Sequence, residues 1–118
     1  MAYDEYLAER VAKTFRDLKV AFVEKKMMGG LIFMVDEKMC VGVDKDKKIG
    51  EDRLMARIGQ DVYQAALKER GSREMDFTGT PMKGFVFIGP EGFDSDDDLE
   101  YWLQKAVEFN PQAKKTRK

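Results

Sequence analysis

The sequence predicts an α+β fold: a two-layer sandwich in which an antiparallel sheet is covered by helices from both ends of the chain. Apolar residues recur at helical spacing near both ends, and short apolar runs joined by turn residues lie between them. The predicted element order is α-β-β-β-α-(β)-β-α. With 118 residues, 43% of them hydrophobic, the chain has the size of one domain with one core.

The first helix is predicted from about Asp4 to Leu18. Asp4 is a suitable N-cap, because its carboxylate can accept hydrogen bonds from the free N–H groups of the first turn. The apolar face of this helix comprises Leu7, Val11, Phe15 and Leu18. Residues 19–26 mix apolar and charged types and are expected only to lead into the sheet.

Two apolar runs, 31–35 and 39–43, are separated by three polar residues, a pattern that predicts a β-hairpin. Residues 44–52, of which seven in nine are charged, should form a solvated loop that extends the next hairpin.

A third strand is predicted over residues 53–58. Alternation should place Leu54, Ala56 and Ile58 on one face of the sheet. The opposite face should carry Arg53, Met55 and Arg57.

A short second helix is predicted after Asp61, because Asp61 and Gln64 have the spacing of a capping box. Its apolar face comprises Val62, Ala66 and Leu67, and Gly71 is a suitable stop. Residues 72–84 should be irregular or partly extended, and residues 85–88 should form a strand closed by a Gly-Pro pair.

The last helix is predicted to begin at Ser95 and to end at Asn110-Pro111. Its core-facing residues are Leu99, Trp102, Leu103, Ala106 and Val107. The helix completes a predicted domain over residues 1–110. Residues 111–118 are predicted to form a basic C-terminal tail.

Composition excludes several function classes. The chain has 21 basic and 22 acidic residues, so a net charge of −1 gives no general attraction to nucleic acid or to an anionic membrane. It has no histidine, which excludes serine–histidine and cysteine–histidine catalysis within one chain. The single cysteine, Cys40, permits no internal disulfide. Without an apolar run of membrane-spanning length or a signal peptide, a cytoplasmic protein without cofactor or metal is expected.

Two glycine-flanked cationic motifs, residues 25–30 and 75–84, stand out. Backbone N–H groups beside cationic side chains can bind phosphate or carboxylate, or the glycines can serve close packing and turns at the start of a strand. Arg57, near a strand end, either forms a surface ion pair or converges with Lys26 and Lys83 on an anion. The candidate binding residues are Lys26, Met27, Gly29, Gly30, Arg57, Thr78, Gly79, Pro81, Met82, Lys83 and Gly84.

Two further features are interpreted as structural. The acidic run over residues 94–98 lacks the ligand pattern of a calcium loop, and carboxylates favour the first turn of a helix. Cys40 lies within an apolar run and is interpreted as a buried small hydrophobe.

The order and spacing of these motifs resemble the TfoX/Sxy N-terminal domain family over roughly residues 2 to 109. The resemblance rests on residues 2–5, 26–30, 39–43 and 75–84 and on the strand that contains Arg57. It implies an antiparallel α+β fold similar to the secretion-chaperone-like class, and kinship with bacterial regulators of competence genes. The family pattern supplies no catalytic residues.

The sequence therefore predicts a non-enzymatic regulatory module that binds protein, either another protein or a second copy of the chain. The alternative is a small-anion or small-ligand binding domain that uses Lys26, Arg57, Lys83 and the glycine loops. Direct nucleic-acid binding is not expected, because no helix carries a basic face with polar base-reading residues. Apolar residues lie on both alternating sets of the predicted sheet, for example Ile32 and Met34 opposite Leu31 and Phe33, so a sheet face that the three short helices leave uncovered would be an apolar contact patch.

Overall fold

The computed structural model describes residues 3–27, 29–46, 48–75 and 83–113, and it confirms the α+β fold. The described α-helices are α1 (Glu5–Asp17), α2 (Tyr63–Ala66) and α3 (Asp96–Phe109). The strands are β1 (Val23–Met27), β2 (Gly30–Val35), β3 (Lys38–Lys45), β4 (Asp52–Arg57), β5 (Ser72–Glu74) and β6 (Phe85–Ile88). No helix in these ranges has the length and apolar character needed to cross a membrane.

The strands form one open sheet with the order β1-β2-β3-β4-β6-β5, in which every neighbouring pair is antiparallel. The three described α-helices pack on one face, which we call the helix-covered face. The opposite face, which we call the methionine face, carries a second apolar cluster. That cluster contains Ile32, Met34, Met55, Met75 and Phe87, with Met27, Met39 and Phe85 packed around it.

Helix α1 has the ends that the sequence predicts. The Asp4 side chain accepts a hydrogen bond from the Tyr6 backbone N–H at 3.2 Å, and Leu18 is the C-cap. The Phe15 ring lies 5.5 Å from that of Phe22 and 5.9 Å from that of Phe33, measured between centroids. These ring contacts fix α1 to the sheet.

Strand β1 is absent from the sequence prediction, which expected residues 19–26 only to lead into the sheet. The structure therefore has four strands before α2, where three were predicted. The reason is position: β1 is an edge strand, and residues 23–26 are exposed whichever face they point to. A strand without a buried side shows no apolar alternation.

Strand β4 confirms the predicted alternation. Its residues Leu54 and Ala56, with Ile58 just after it, join the core under the helices, whereas Met55 joins the methionine face. Arg53 and Arg57 also point to the methionine face, where their guanidinium carbons lie 3.7 Å and 5.3 Å from the ring centroids of Phe87 and Phe85.

Ile32 and Met34 form one of the two apolar sets that the sequence predicts for the sheet. Both side chains are buried within the chain, although they lie on the face without helices. Methionine and phenylalanine side chains of the neighbouring strands pack against them and cover them.

The predicted capping box of the second helix does not form. Val62, not Asp61, is the N-cap of α2, and it makes no side-chain cap hydrogen bond. Asp61 thus precedes the cap, so its carboxylate is one residue too early to serve the first turn. The helix is only four residues long, but Ala66 is buried as predicted.

Helix α3 begins and ends as predicted and is held at both ends. The Ser95 hydroxyl accepts a hydrogen bond from the Asp98 backbone N–H at 3.0 Å, and the acidic run lies in the first turn. At the other end, the buried Lys38 ammonium donates to the Asn110 carbonyl at 3.0 Å. The Asn110 side-chain amide donates to the Val35 carbonyl at 3.1 Å. The β2–β3 hairpin and the end of α3 are therefore tied together.

Candidate functional site

The first glycine motif lies at the turn between the edge strand and β2. Lys26 and Met27 end β1, Gly29 lies in the turn with φ +77°, and Gly30 begins β2. A Cβ on Gly30 would collide with the Val43 carbonyl. At Gly30 the glycine is therefore explained by close packing of neighbouring backbones.

The second glycine motif is described only at its end, since Thr78, Gly79, Pro81 and Met82 lie outside the described residues. Lys83 is exposed, and Gly84 is buried with φ +93°. The Gly84 carbonyl accepts hydrogen bonds from the backbone N–H groups of Ile58 at 2.8 Å and Gly59 at 3.0 Å. This double acceptance joins the start of β6 to the end of β4.

Arg57 lies next to this junction. It ends β4 directly opposite Phe85, and its guanidinium stands over the Phe85 ring on the methionine face. Burial lowers the pKa of Arg57 below its ordinary value, because the charged form loses part of its hydration. A partly buried cation of this kind favours a nearby anion.

The structure brings Arg57 close to Lys83 in the fold but leaves Lys26 apart from both. Lys26 pairs with Leu31, which faces the helices, whereas Arg57 pairs with Phe85 on the methionine face. Three strand spacings of about 4.8 Å also separate β1 from β4. The three cations therefore do not surround one ligand, and an anion-binding role for any of them stays a prediction.

Cys40 is buried in the core beneath the helices. Burial raises the pKa of its thiol to about 12, although the nearby Arg57 charge acts in the opposite direction. At neutral pH the thiol stays protonated, and a protonated thiol is a poor nucleophile. This agrees with its interpretation as a small hydrophobic residue.

The exposed side of α3 carries a surface that none of the sequence motifs indicates. We call it the acidic helix surface, and it comprises Asp97, Glu100, Tyr101, Gln104, Lys105 and Glu108. These side chains line a shallow groove of about 440 Å³. The signal in the sequence was the set of polar positions, spaced three and four residues apart, that complements the buried stripe of α3.

Tyr101 is the centre of this surface. Its side chain is 39% exposed, and its hydroxyl donates to the Glu69 carboxylate at 3.0 Å. The Lys105 ammonium lies 4.9 Å from the ring centroid, and the Trp102 ring makes an edge contact from below at 5.2 Å. The phenol ring is therefore held in place while part of it remains open to solvent.

A deeper cleft of about 460 Å³ adjoins the acidic helix surface and shares Lys105 and Glu108 with it. Residues 58–62 form one wall, and Phe109 lies on the other. In the described ranges, no group of three Asp, Glu or Cys side chains is arranged to hold a metal ion.

No curated protein matches this chain at a significant level. A family model described as the TfoX N-terminal domain matches residues 14–110. The match spans most of the 118 residues and includes the six described strands and α3. The chain therefore belongs to the TfoX N-terminal domain family.

Proposed function

We propose that this chain is a non-enzymatic regulatory domain that acts by binding a protein partner, in competence-type transcriptional control in the bacterial cytoplasm. Membership of the family supports a competence-related regulatory domain, and the family is not a known enzyme family. The binding role and the partner's chemistry are the parts that the proposal adds.

The observation that carries the proposal is the acidic helix surface. Its partly open, well-anchored Tyr101 ring is surrounded by Asp97, Glu100 and Glu108. Tyrosine rings with limited side-chain freedom contribute strongly to protein interfaces. The carboxylates favour a basic partner surface, since complementary charge steers association.

The same charges argue against direct contact with nucleic acid through this surface. Affinity for DNA and RNA depends on cations that neutralise phosphates. A surface with three carboxylates and one lysine would repel a phosphate backbone. The proposed domain therefore regulates through a protein.

The test is affinity capture from native lysate, with cross-linking and mass spectrometry. Wild type is compared with Tyr101→Ala and Glu100→Lys, and with Glu9→Lys as a control that makes the same charge change at an exposed position on α1. We expect a partner with a basic surface to be retained by wild type and Glu9→Lys and lost by the two α3 variants. Identical sets of retained proteins on all four columns would refute the proposal.

A small-anion site at Arg57 and Lys83 is a second candidate, favoured by the partly buried charge of Arg57 beside the β4–β6 junction. Sulfate should then raise the melting temperature more than chloride does at matched ionic strength. Sulfate also stabilises proteins by exclusion from their surface, so only the part that a variant removes counts. Arg57→Ala and Lys83→Ala should remove the excess, while Lys26→Ala, three strands away, should retain it. An equal sulfate effect in all three variants would exclude the site.

A further inference from the structure

Strand β1 is one of the two edges of the open sheet. Within the described residues it pairs with β2 alone, and Val23 is 62% exposed. The outer side of such a strand presents backbone N–H and C=O groups with no partner strand, which makes it a template for another strand. The sequence of β1 decides which strand fits.

Two copies of β1 can pair antiparallel only about a two-fold axis perpendicular to the sheet. This symmetry keeps each face of the sheet on the same side in both copies. Two residues that pair across the axis must point to the same face, so their two residue numbers add up to an even number. A sum of 50 places the axis at Lys25 and pairs all five residues of β1. Sums of 48 and 52 pair only three residues and oppose Glu24 to Glu24 or Lys26 to Lys26.

The register centred on Lys25 has complementary chemistry. Glu24 faces Lys26 of the second copy, and symmetry repeats this opposite-charge pair on the other side of the axis. Val23 likewise faces Met27 twice. Opposite charges and apolar side chains directly across an antiparallel pair are stabilising.

We propose that this domain forms a homodimer in which β1 pairs antiparallel with β1 of a second copy, centred on Lys25, so that the two sheets become continuous. The two Glu24–Lys26 pairs lie toward the helix-covered face, since these residues pair with Phe33 and Leu31 in their own sheet. The two Lys25 side chains meet at the axis on the other face. They are long and exposed, so their ammonium groups can diverge into water.

A cysteine cross-link tests the register. In the proposed dimer the two Lys25 Cα atoms lie about 4.5–5.5 Å apart, within the range of a disulfide. Lys25→Cys should therefore give a covalent dimer under mild oxidation. The matched control is Val23→Cys, on the same strand and face, whose two copies are displaced by four residues, about 13 Å along the strand. Native Cys40 is buried and should not interfere.

We expect Lys25→Cys to cross-link at least tenfold faster than Val23→Cys. Equal rates for the two variants would show collisional coupling and overturn the proposed register. The absence of covalent dimer in Lys25→Cys would overturn it as well.

Charge exchange tests the pairing in the uncross-linked protein, by sedimentation velocity over a range of concentrations. Lys26→Glu and Glu24→Lys should each weaken self-association roughly tenfold, because each change creates two repulsive pairs in a symmetric dimer. The double variant Glu24→Lys/Lys26→Glu should restore self-association. Lys25→Thr should strengthen self-association, because it removes the like-charge contact at the axis. Lys68→Glu, an exposed reversal far from β1 in sequence, is the control.

A wild-type protein that stays monomeric at every concentration would overturn the proposal, as would a dimer that the β1 variants leave unchanged. Melting curves establish that each variant is folded. Glu100→Lys on α3 should leave self-association intact, so failure of the dimer and failure of partner binding are distinguishable.

Discussion

Trp102→Ala measures how strongly α3 is held on the sheet. The indole is only 2% exposed, and its Nε1–H donates to the Gly92 carbonyl at 3.1 Å. A buried aromatic of this type removes about 150–250 Å² from water, which at about 25 cal/mol per Å² corresponds to roughly 4–6 kcal/mol. Measured Trp→Ala losses in cores are about 3–5 kcal/mol. We therefore expect a loss of about 4 kcal/mol, a large share of the 5–15 kcal/mol typical of a domain.

The assay is urea unfolding followed by far-UV circular dichroism. Trp102→Phe should lose less, about 1–3 kcal/mol, because a smaller aromatic ring still fills part of the site while the Gly92 carbonyl loses its donor. Tyr6→Ala, which removes an aromatic that is 69% exposed on α1, is the control and should change stability by less than about 0.5 kcal/mol. A Trp102→Ala loss no larger than that of Tyr6→Ala would refute the packing that places α3 in the core.

Three further outcomes follow from the same structure. Lys38→Met should reduce stability by about 1.5–3 kcal/mol in urea unfolding, because the charged donor to the Asn110 carbonyl is lost; an unchanged midpoint would contradict this. Burial raises the pKa of the Cys40 thiol to about 12 in the folded protein, compared with 9.0 for a free thiol. The free energy of unfolding should therefore be at its highest below pH 9 and should fall between pH 9 and about 12, where only the unfolded thiol ionises. Cys40→Ala should remove that part of the pH slope, and equal slopes in both proteins would exclude it. Gly59→Ala should lower stability by about 1–3 kcal/mol by calorimetry, because φ is +88° and the added Cβ meets the Phe109 ring; a neutral result would show that the ring moves aside.

The sequence predicts best the elements whose signals are local. Both ends of α1 and α3 follow from capping side chains and buried stripes within a few residues, as at Asp4 and Ser95. β4 follows from its alternation, because one side of it meets the helices and the other the methionine face. β1 lacks such a signal, because residues 23–26 are exposed and only pairing with β2 makes this segment a strand.

The candidate site was harder to predict because it depends on strand order. The contact of the Lys83–Gly84 segment with the end of β4 arises from pairing between strands that are distant in sequence. The separation of Lys26 from Arg57 requires both the strand order and the face to which each side chain points. The sequence indicates a polar side of α3, but most solvent-exposed helix faces have a similar composition. Only the packing around Tyr101, which the structure shows, distinguishes this surface from them.

The tie between the β2–β3 hairpin and the end of α3 has a consequence for synthesis on the ribosome. Lys38 and Val35 are made early, but their partner Asn110 follows 72 and 75 residues later. Until then the Lys38 ammonium has only the exposed Asp36 carboxylate of its own hairpin, at 3.5 Å, as a partner, and the sheet lacks the helix that covers much of its core. Closure over such long sequence separations is slow compared with local contacts. The nascent domain should therefore become protease-resistant in a single late step, once Asn110 has left the exit tunnel.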